Sequence, residues 1–132
     1  MPTEGGFRYS SELVAYLKEI GDLSIGTAGF PEGHIAQTGG KHQDWQHLAD
    51  KIHQGAHFVV TQLFYDNDDY FAMWDHLTKT LGVDVPLIPG LLPVVARTQT
   101  KKFTALCGAR LPERFLSRLE ALGDDDAAVT AF

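Results

Sequence analysis

The sequence predicts a parallel α/β fold, on three observations. Three short apolar runs, starting at Leu23, Phe58 and Val85, have the length and β-branched or aromatic content of strands. Each leads into a polar or glycine-rich segment, and between them apolar residues recur at helical spacing. Short strands alternating with helices make a parallel sheet, whose chemistry gathers at the strand carboxyl ends and the loops that follow them. Functional residues are therefore sought at His34, Gln62 and the loop after Pro93.

Taken in order, Ser10 or Ser11 caps a first helix, Glu12 suits its positive N-terminal end, and Leu13, Tyr16, Leu17 and Ile20 share a face before Gly21 stops it. The first strand follows and runs into a glycine-containing loop over 30–40. Trp45, Leu48, Ala49 and Ile52 form the apolar face of a second helix, with Gly55 at its C-terminal glycine position. After the second strand, Asn67 and Asp68 cap a third helix with Phe71, Trp74, Leu77 and Leu81 as its stripe and Gly82 as its stop. Prolines bound the third strand. A helix over 98–106 puts Phe103 and Leu106 on one face, and Pro112 starts another with Phe115, Leu116 and Leu119 inside. Asp124, Asp125 and Asp126 supply the acidic first turn of a last helix.

The 132 residues, 44% hydrophobic, fit one globular domain with a real core. Eleven basic against seventeen acidic residues give a net charge of -6, and the basic ones are scattered apart from Lys101 and Lys102, which argues against a nucleic-acid partner. Cys107 is the single cysteine, so there is no intrachain disulfide framework and no zinc-cysteine spacing, and a reducing, cytoplasmic setting is expected. The N-terminal residues lack the basic start and long apolar core of a signal peptide, and no run approaches membrane-spanning length, so no membrane partner is expected. Three strands leave sheet edges unpaired, whereas a (β/α)8 barrel closes with about eight strands over about 250 residues. Because the chain starts just before a strand-preceding helix and stops inside another, the expectation is a partial barrel domain over 1–132 belonging to something longer.

Three motifs sharpen this reading. They are Ala28-Gly29-Phe30-Pro31-Glu32-Gly33-His34, the Gly55-Ala56 turn leading to Thr61-Gln62-Leu63-Phe64-Tyr65-Asp66, and Ile88-Pro89-Gly90-Leu91-Leu92-Pro93 followed by Lys101-Lys102-Phe103. Their order and spacing, over nearly the whole chain, resemble the methylenetetrahydrofolate reductases, flavoenzymes built on an eight-stranded β/α barrel. The first is similar to that family's aromatic-Pro-Glu-x-His element. The resemblance implies barrel strands five to seven, FAD as cofactor, NADH or NADPH as co-substrate, a folate substrate, and a homo-oligomer in the full-length form. It implies reduction of 5,10-methylenetetrahydrofolate to 5-methyltetrahydrofolate in one-carbon and methionine metabolism. The family's acid catalyst lies before the fifth strand, so no catalytic residue is assigned in this chain.

By the same resemblance, Phe30 and His34 lie along FAD, and Asp44 and Lys51 hold its ribose and diphosphate, roles that need a hydroxyl acceptor and a phosphate counter-charge. His47 shares their helix face but stands where the family carries an amide, and the loop between His34 and Asp44 is slightly longer than the family's. Without the resemblance, Asp44, His47 and Lys51 read as a solvated helix face. Gln62 ends an apolar strand and needs a polar partner, either backbone from a neighbouring strand or, by resemblance, the folate pterin. Gln99 and Phe103, one helical turn apart, are implied to touch folate, with Phe103 stacking on folate or nicotinamide; Phe103 reads equally as core. Cys107 reads as a small packed residue. Two other classes suit the fold: a non-catalytic flavin- or pterin-binding module that oligomerises, and a metal-dependent hydrolase half-barrel using the histidines. For the latter, His34, His42, Asp44, His47, His53 and His57 show no zinc spacing, and Gly55 separates His53 from His57, so no metal is expected.

Overall fold

Parallel pairing of three short strands organises the chain. The computed structural model describes residues 4–131. Its elements are α1 (Ser10–Ile20), β1 (Gly26–Gly29), α2 (Lys41–His53), β2 (Phe58–Thr61), α3 (Asn67–Asp75) continued by a π-helical turn over His76–Thr80, β3 (Leu87–Ile88), α4 (Arg97–Cys107), α5 (Glu113–Leu122) and α6 (Asp126–Thr130). The sheet order is β1-β2-β3, all parallel, with Gly26 opposite Phe58 and Val59 opposite Leu87. This is the strand–helix alternation of part of a (β/α)8 barrel.

The two-residue alternation of a strand assigns each side chain to one face. Val59 and Thr61 point to the helices and are buried, as is Ile25 just before β1. Ile25 and Val59 join Val14, Trp45, Leu48, Ala49, Ile52, Ala56, Met73, Leu77 and Val83 in one core. Gly29 sits where strand and helix approach most closely: a Cβ there would stand 2.8 Å from Val59 and 3.1 Å from Leu48. The opposite, inner face carries Gly26, Ala28, Phe58, Val60 and Ile88 and is left largely open among the described residues. Val60 remains 42% and Ile88 45% exposed. A parallel strand ordinarily has both faces covered, so this open face is the structural mark of a partial barrel.

The second helix matches its sequence reading: Trp45, Leu48, Ala49 and Ile52 are all buried, and Gly55 follows the C-cap with φ 128°. Several other details differ. The cap of α1 is Tyr9 rather than Ser10 or Ser11, and the Glu12 carboxylate accepts from the backbone N–H groups of Arg8 (2.7 Å) and Tyr9 (3.3 Å). Asp66, not Asn67 or Asp68, caps α3, accepting from the Asp68 N–H at 3.2 Å. The inward face of α1 is Val14 with Leu17, while Leu13, Tyr16 and Ile20 stay exposed. On α3 the inward residues are Tyr70, Met73 and Leu77, and Phe71 is 59% exposed. Apolar periodicity identifies a stripe but not which part of it a neighbour covers. On α4 the buried residues are Thr100 and Thr104 rather than Phe103 and Leu106; each threonine hydroxyl donates to a carbonyl four residues back, which permits its burial.

Candidate functional site

The residues singled out around the first strand converge on one cleft. Phe30, His34, Asp44, His47 and Lys51 all line a cavity of about 940 Å³ between α1, α2 and the open edge of β1. Its walls divide by element: Leu13, Val14 and Leu17 of α1 with Ile25 are apolar, while the loop and α2 supply His34, Gln37, Asp44, His47 and Lys51.

Local geometry explains how the polar wall is held. Phe30 leaves β1, and its carbonyl accepts from the Trp45 indole N–H at 2.9 Å and from the Gly33 N–H at 2.9 Å. The buried Trp45 thus fixes the start of the loop. The His34 ring stands edge-on to Phe30 with centroids 4.6 Å apart. The Asp44 carboxylate accepts from the His34 N–H at 3.2 Å, and His34 Nδ1 accepts from the Ala36 N–H at 3.1 Å. Gln37 reaches the helix through its Nε2, 3.1 Å from His47 Nδ1. Asp44, His47 and Lys51 follow one another at spacings of three and four along α2 and so share a face. Burial pushes the Lys51 ammonium below its ordinary range, against the pull of nearby Asp44.

A second cleft, about 460 Å³, lies over the inner sheet face and is lined by Gly26, Thr27, Ala28, Phe30, Phe58, Val60, Thr61 and Gln62. Phe30 is common to both walls. Phe58 lies over Gly26, where a Cβ would come within 2.5 Å of its ring. The Gln62 backbone N–H donates to Gly29 carbonyl at 2.7 Å, and its side-chain Oε1 accepts from the next backbone N–H, that of Leu63, at 3.0 Å. The backbone partner is therefore its own neighbour in sequence rather than a residue of an adjacent strand, and Gln62 stands at the strand end on the cleft wall. Gln99 and Phe103 lie on α4 and are not part of the walls of either cleft. Among the described residues no group of three or more His, Cys, Asp or Glu side chains converges as a metal centre. His57 Nδ1 instead accepts from the Ile25 N–H at 3.0 Å, and His42 packs on Trp45 and His76.

One cluster was missed from sequence. Glu32, in the same loop as His34, accepts through both oxygens from the Arg110 backbone N–H at 3.0 Å. The Arg110 guanidinium reaches Asp69 at 2.8 Å and Asp66 at 3.7 Å, and Lys41 lies 3.6 Å from Asp69. Burial raises the Glu32 carboxyl above its ordinary value, partly offset by the Arg110 N–H. Glu32 and Arg110 are 78 positions apart, and no local pattern announces such a pair; the one available hint was a glutamate inside the loop motif.

No helix among the described residues is long and apolar enough to cross a membrane. The sequence matches the family model described as methylenetetrahydrofolate reductase over residues 1–132. It is 37% identical over 131 residues to methylenetetrahydrofolate reductase 2 of Saccharomyces cerevisiae, covering 97% of this chain and 22% of that protein. It is 36% identical over 117 residues to the 5,10-methylenetetrahydrofolate reductase of Escherichia coli K12, covering 89% and 39%. With the enzyme of Pectobacterium carotovorum the figures are 35% over 127 residues, 95% and 42%. The chain thus spans well under half the length of these relatives. A match that runs the whole chain, on a sheet and loops that fall where the motifs placed them, means that this chain belongs to the methylenetetrahydrofolate reductase family.

Proposed function

We propose that this chain supplies the flavin-holding wall and part of the folate-facing surface of a cytoplasmic methylenetetrahydrofolate reductase, acting as a single partial-barrel domain. The observation that carries this reading is the convergence of Phe30, His34, Asp44, His47 and Lys51 on one cleft, with Phe30 shared by the cleft that Gln62 lines. The residues fit FAD. A cleft of this volume is within the ordinary range for cofactor sites, about 300–1,000 Å³, and a half-buried lysine with lowered proton affinity gains from a diphosphate.

In this reading Lys51 binds the diphosphate, Asp44 accepts from a ribose hydroxyl, and Phe30 with His34 lies along the flavin ring. His47 steadies the loop through Gln37. Gln62, on the other side of Phe30, presents a donor and an acceptor to the amide-like edge of a pterin. Gln99 and Phe103 on α4 complete the folate and nicotinamide side. When bound, FAD supplies hydride transfer from NADH or NADPH to the methylene carbon of the folate. What the protein contributes from these residues is position: a wet polar end for the phosphates and a drier wall beside the substrate. The acid catalyst is not assigned to this chain, and the full-length enzyme is a homo-oligomer in this reading.

The test is the visible absorbance of the purified chain after FAD is added and unbound cofactor removed, with His34→Ala and Lys51→Met alongside. A retained flavin band that both substitutions weaken is expected. A folded chain that keeps no flavin would overturn the assignment of these contacts.

A further inference from the structure

We propose that Arg110 is a positioning residue that couples the flavin-facing loop to α4, so that a ligand seated against one orders the other. The proposal rests on the site reading above. Its structural basis is a continuous set of short contacts across the strand carboxyl ends. The Arg110 backbone N–H is held by both oxygens of Glu32, two positions before His34. Its neighbour Ala109 donates to the Thr104 carbonyl at 3.0 Å, and the Thr104 hydroxyl donates to Thr100 and Lys101 carbonyls within α4, both at 3.0 Å. Gly108, the left-handed C-cap of α4 at φ 71°, packs against Ile35 of the same loop. The α4–α5 turn therefore grips the loop at two points, Glu32 and Ile35, and grips α4 at a third.

The guanidinium extends the grip to a third element. It lies 2.8 Å from Asp69 and 3.7 Å from Asp66, which begin and cap α3 after β2, the strand that Gln62 follows. Glu32 comes from the loop after β1, Asp66 and Asp69 from the start of α3, and all three carry like charge; the groups facing them are Arg110 and, from the start of α2, Lys41. Surface pairs of this kind hold little energy singly. Their effect is collective, because removing the guanidinium leaves three carboxylates on two segments without the cation that reaches all three. Those segments carry the loop of Phe30 and His34, the strand end of Gln62 and, through the α4–α5 turn, the helix of Gln99 and Phe103.

Hydrogen exchange on the 132-residue chain, with and without FAD, tests this in wild type, Arg110→Gln and Arg110→Lys. Addition of FAD is expected to slow exchange of α4 amides by about fivefold or more in wild type, the lower end of ordinary site-to-site coupling. In R110Q the main-chain contacts of the turn remain, so FAD should still slow the amides of residues 33–37 while its effect on α4 falls, and R110K should restore part of the effect. Protection of α4 that is undiminished in R110Q overturns the proposal. So does an unfolded R110Q by far-ultraviolet dichroism, since Arg110 would then be merely structural. If wild type takes up no FAD, the site reading fails and the ligand-free data decide the coupling: faster exchange in both residues 33–37 and α4 of R110Q, largely reversed in R110K, supports it, and unchanged exchange overturns it.

Discussion

The two faces of the sheet are built from alternate residues of the same strands, yet they serve different ends. On the helix side, Val59 and Gly29 meet Leu48 and Met73, and the contacts are so close that even a glycine Cβ is excluded. On the inner side, Gly26, Ala28, Val60 and Gln62 stand at a cleft, and the large side chains remain partly open. The difference separates stability from binding one residue at a time. A substitution's consequence should depend on the face far more than on the residue type.

The largest effect expected from this contrast is on the covered face. Met73→Ala removes a fully buried side chain that touches strand and helix alike, and should lower unfolding free energy by roughly 2–5 kcal/mol. Val60→Ala, on the open face, should change it by no more than about 0.5 kcal/mol. Urea denaturation followed by circular dichroism compares the two. Equal losses would break the contrast and mean that the inner face is covered in solution.

A smaller but more specific effect is expected at Lys51. Its lowered proton affinity comes first from burial, so in the folded state the neutral form is favoured. The charge therefore weakens folding at neutral pH, and the penalty is relieved as pH rises through the depressed folded value towards the ordinary lysine range. Lys51→Met should leave the apo chain as stable as wild type or more so near neutrality, with the difference closing at alkaline pH. Affinity for FAD should nevertheless fall about tenfold, or ~1.4 kcal/mol. Isothermal titration with FAD and urea melts on the same samples separate the two. Parallel loss of stability and affinity would assign Lys51 to packing.

How much of this was legible beforehand follows from what each feature depends on. Trp45, Leu48, Ala49 and Ile52 could be read because α2 is covered along its whole apolar stripe, so periodicity and burial coincide. On α1 and α3 they do not: Tyr16 and Phe71 belong to apolar patterns but stay exposed, and coverage is decided by other elements. The π-helical turn at His76–Thr80 adds a rotation that no 3.6-residue pattern encodes. The loop motif through His34 and the strand end at Gln62 were visible because glycine, proline and a lone amide stand out in apolar surroundings. The Glu32 and Arg110 pair was not, since charged residues far apart in sequence look alike whether solvated or matched.

Glu32 provides the smallest and most discriminating test of where the two faces meet. Its carboxyl is raised chiefly by burial, with the Arg110 N–H acting against that rise and Asp69 adding to it. A raised folded value means that the protonated form is the one folding favours. That contribution is fully present below the ordinary carboxyl range and is lost as pH rises through the raised value. Glu32→Gln has no such titration, and its Oε1 can still accept from the Arg110 N–H. The stability of wild type relative to E32Q should therefore decline from acid towards neutral pH and then level off. At neutrality E32Q should lie within about 1 kcal/mol of wild type, on the stable side, because one of three clustered negative charges is gone. Denaturant midpoints across this pH range measure the difference directly. A relative stability that instead rises with pH would mean that the charged carboxylate, and not the hydrogen bond it accepts, holds the loop to the α4–α5 turn.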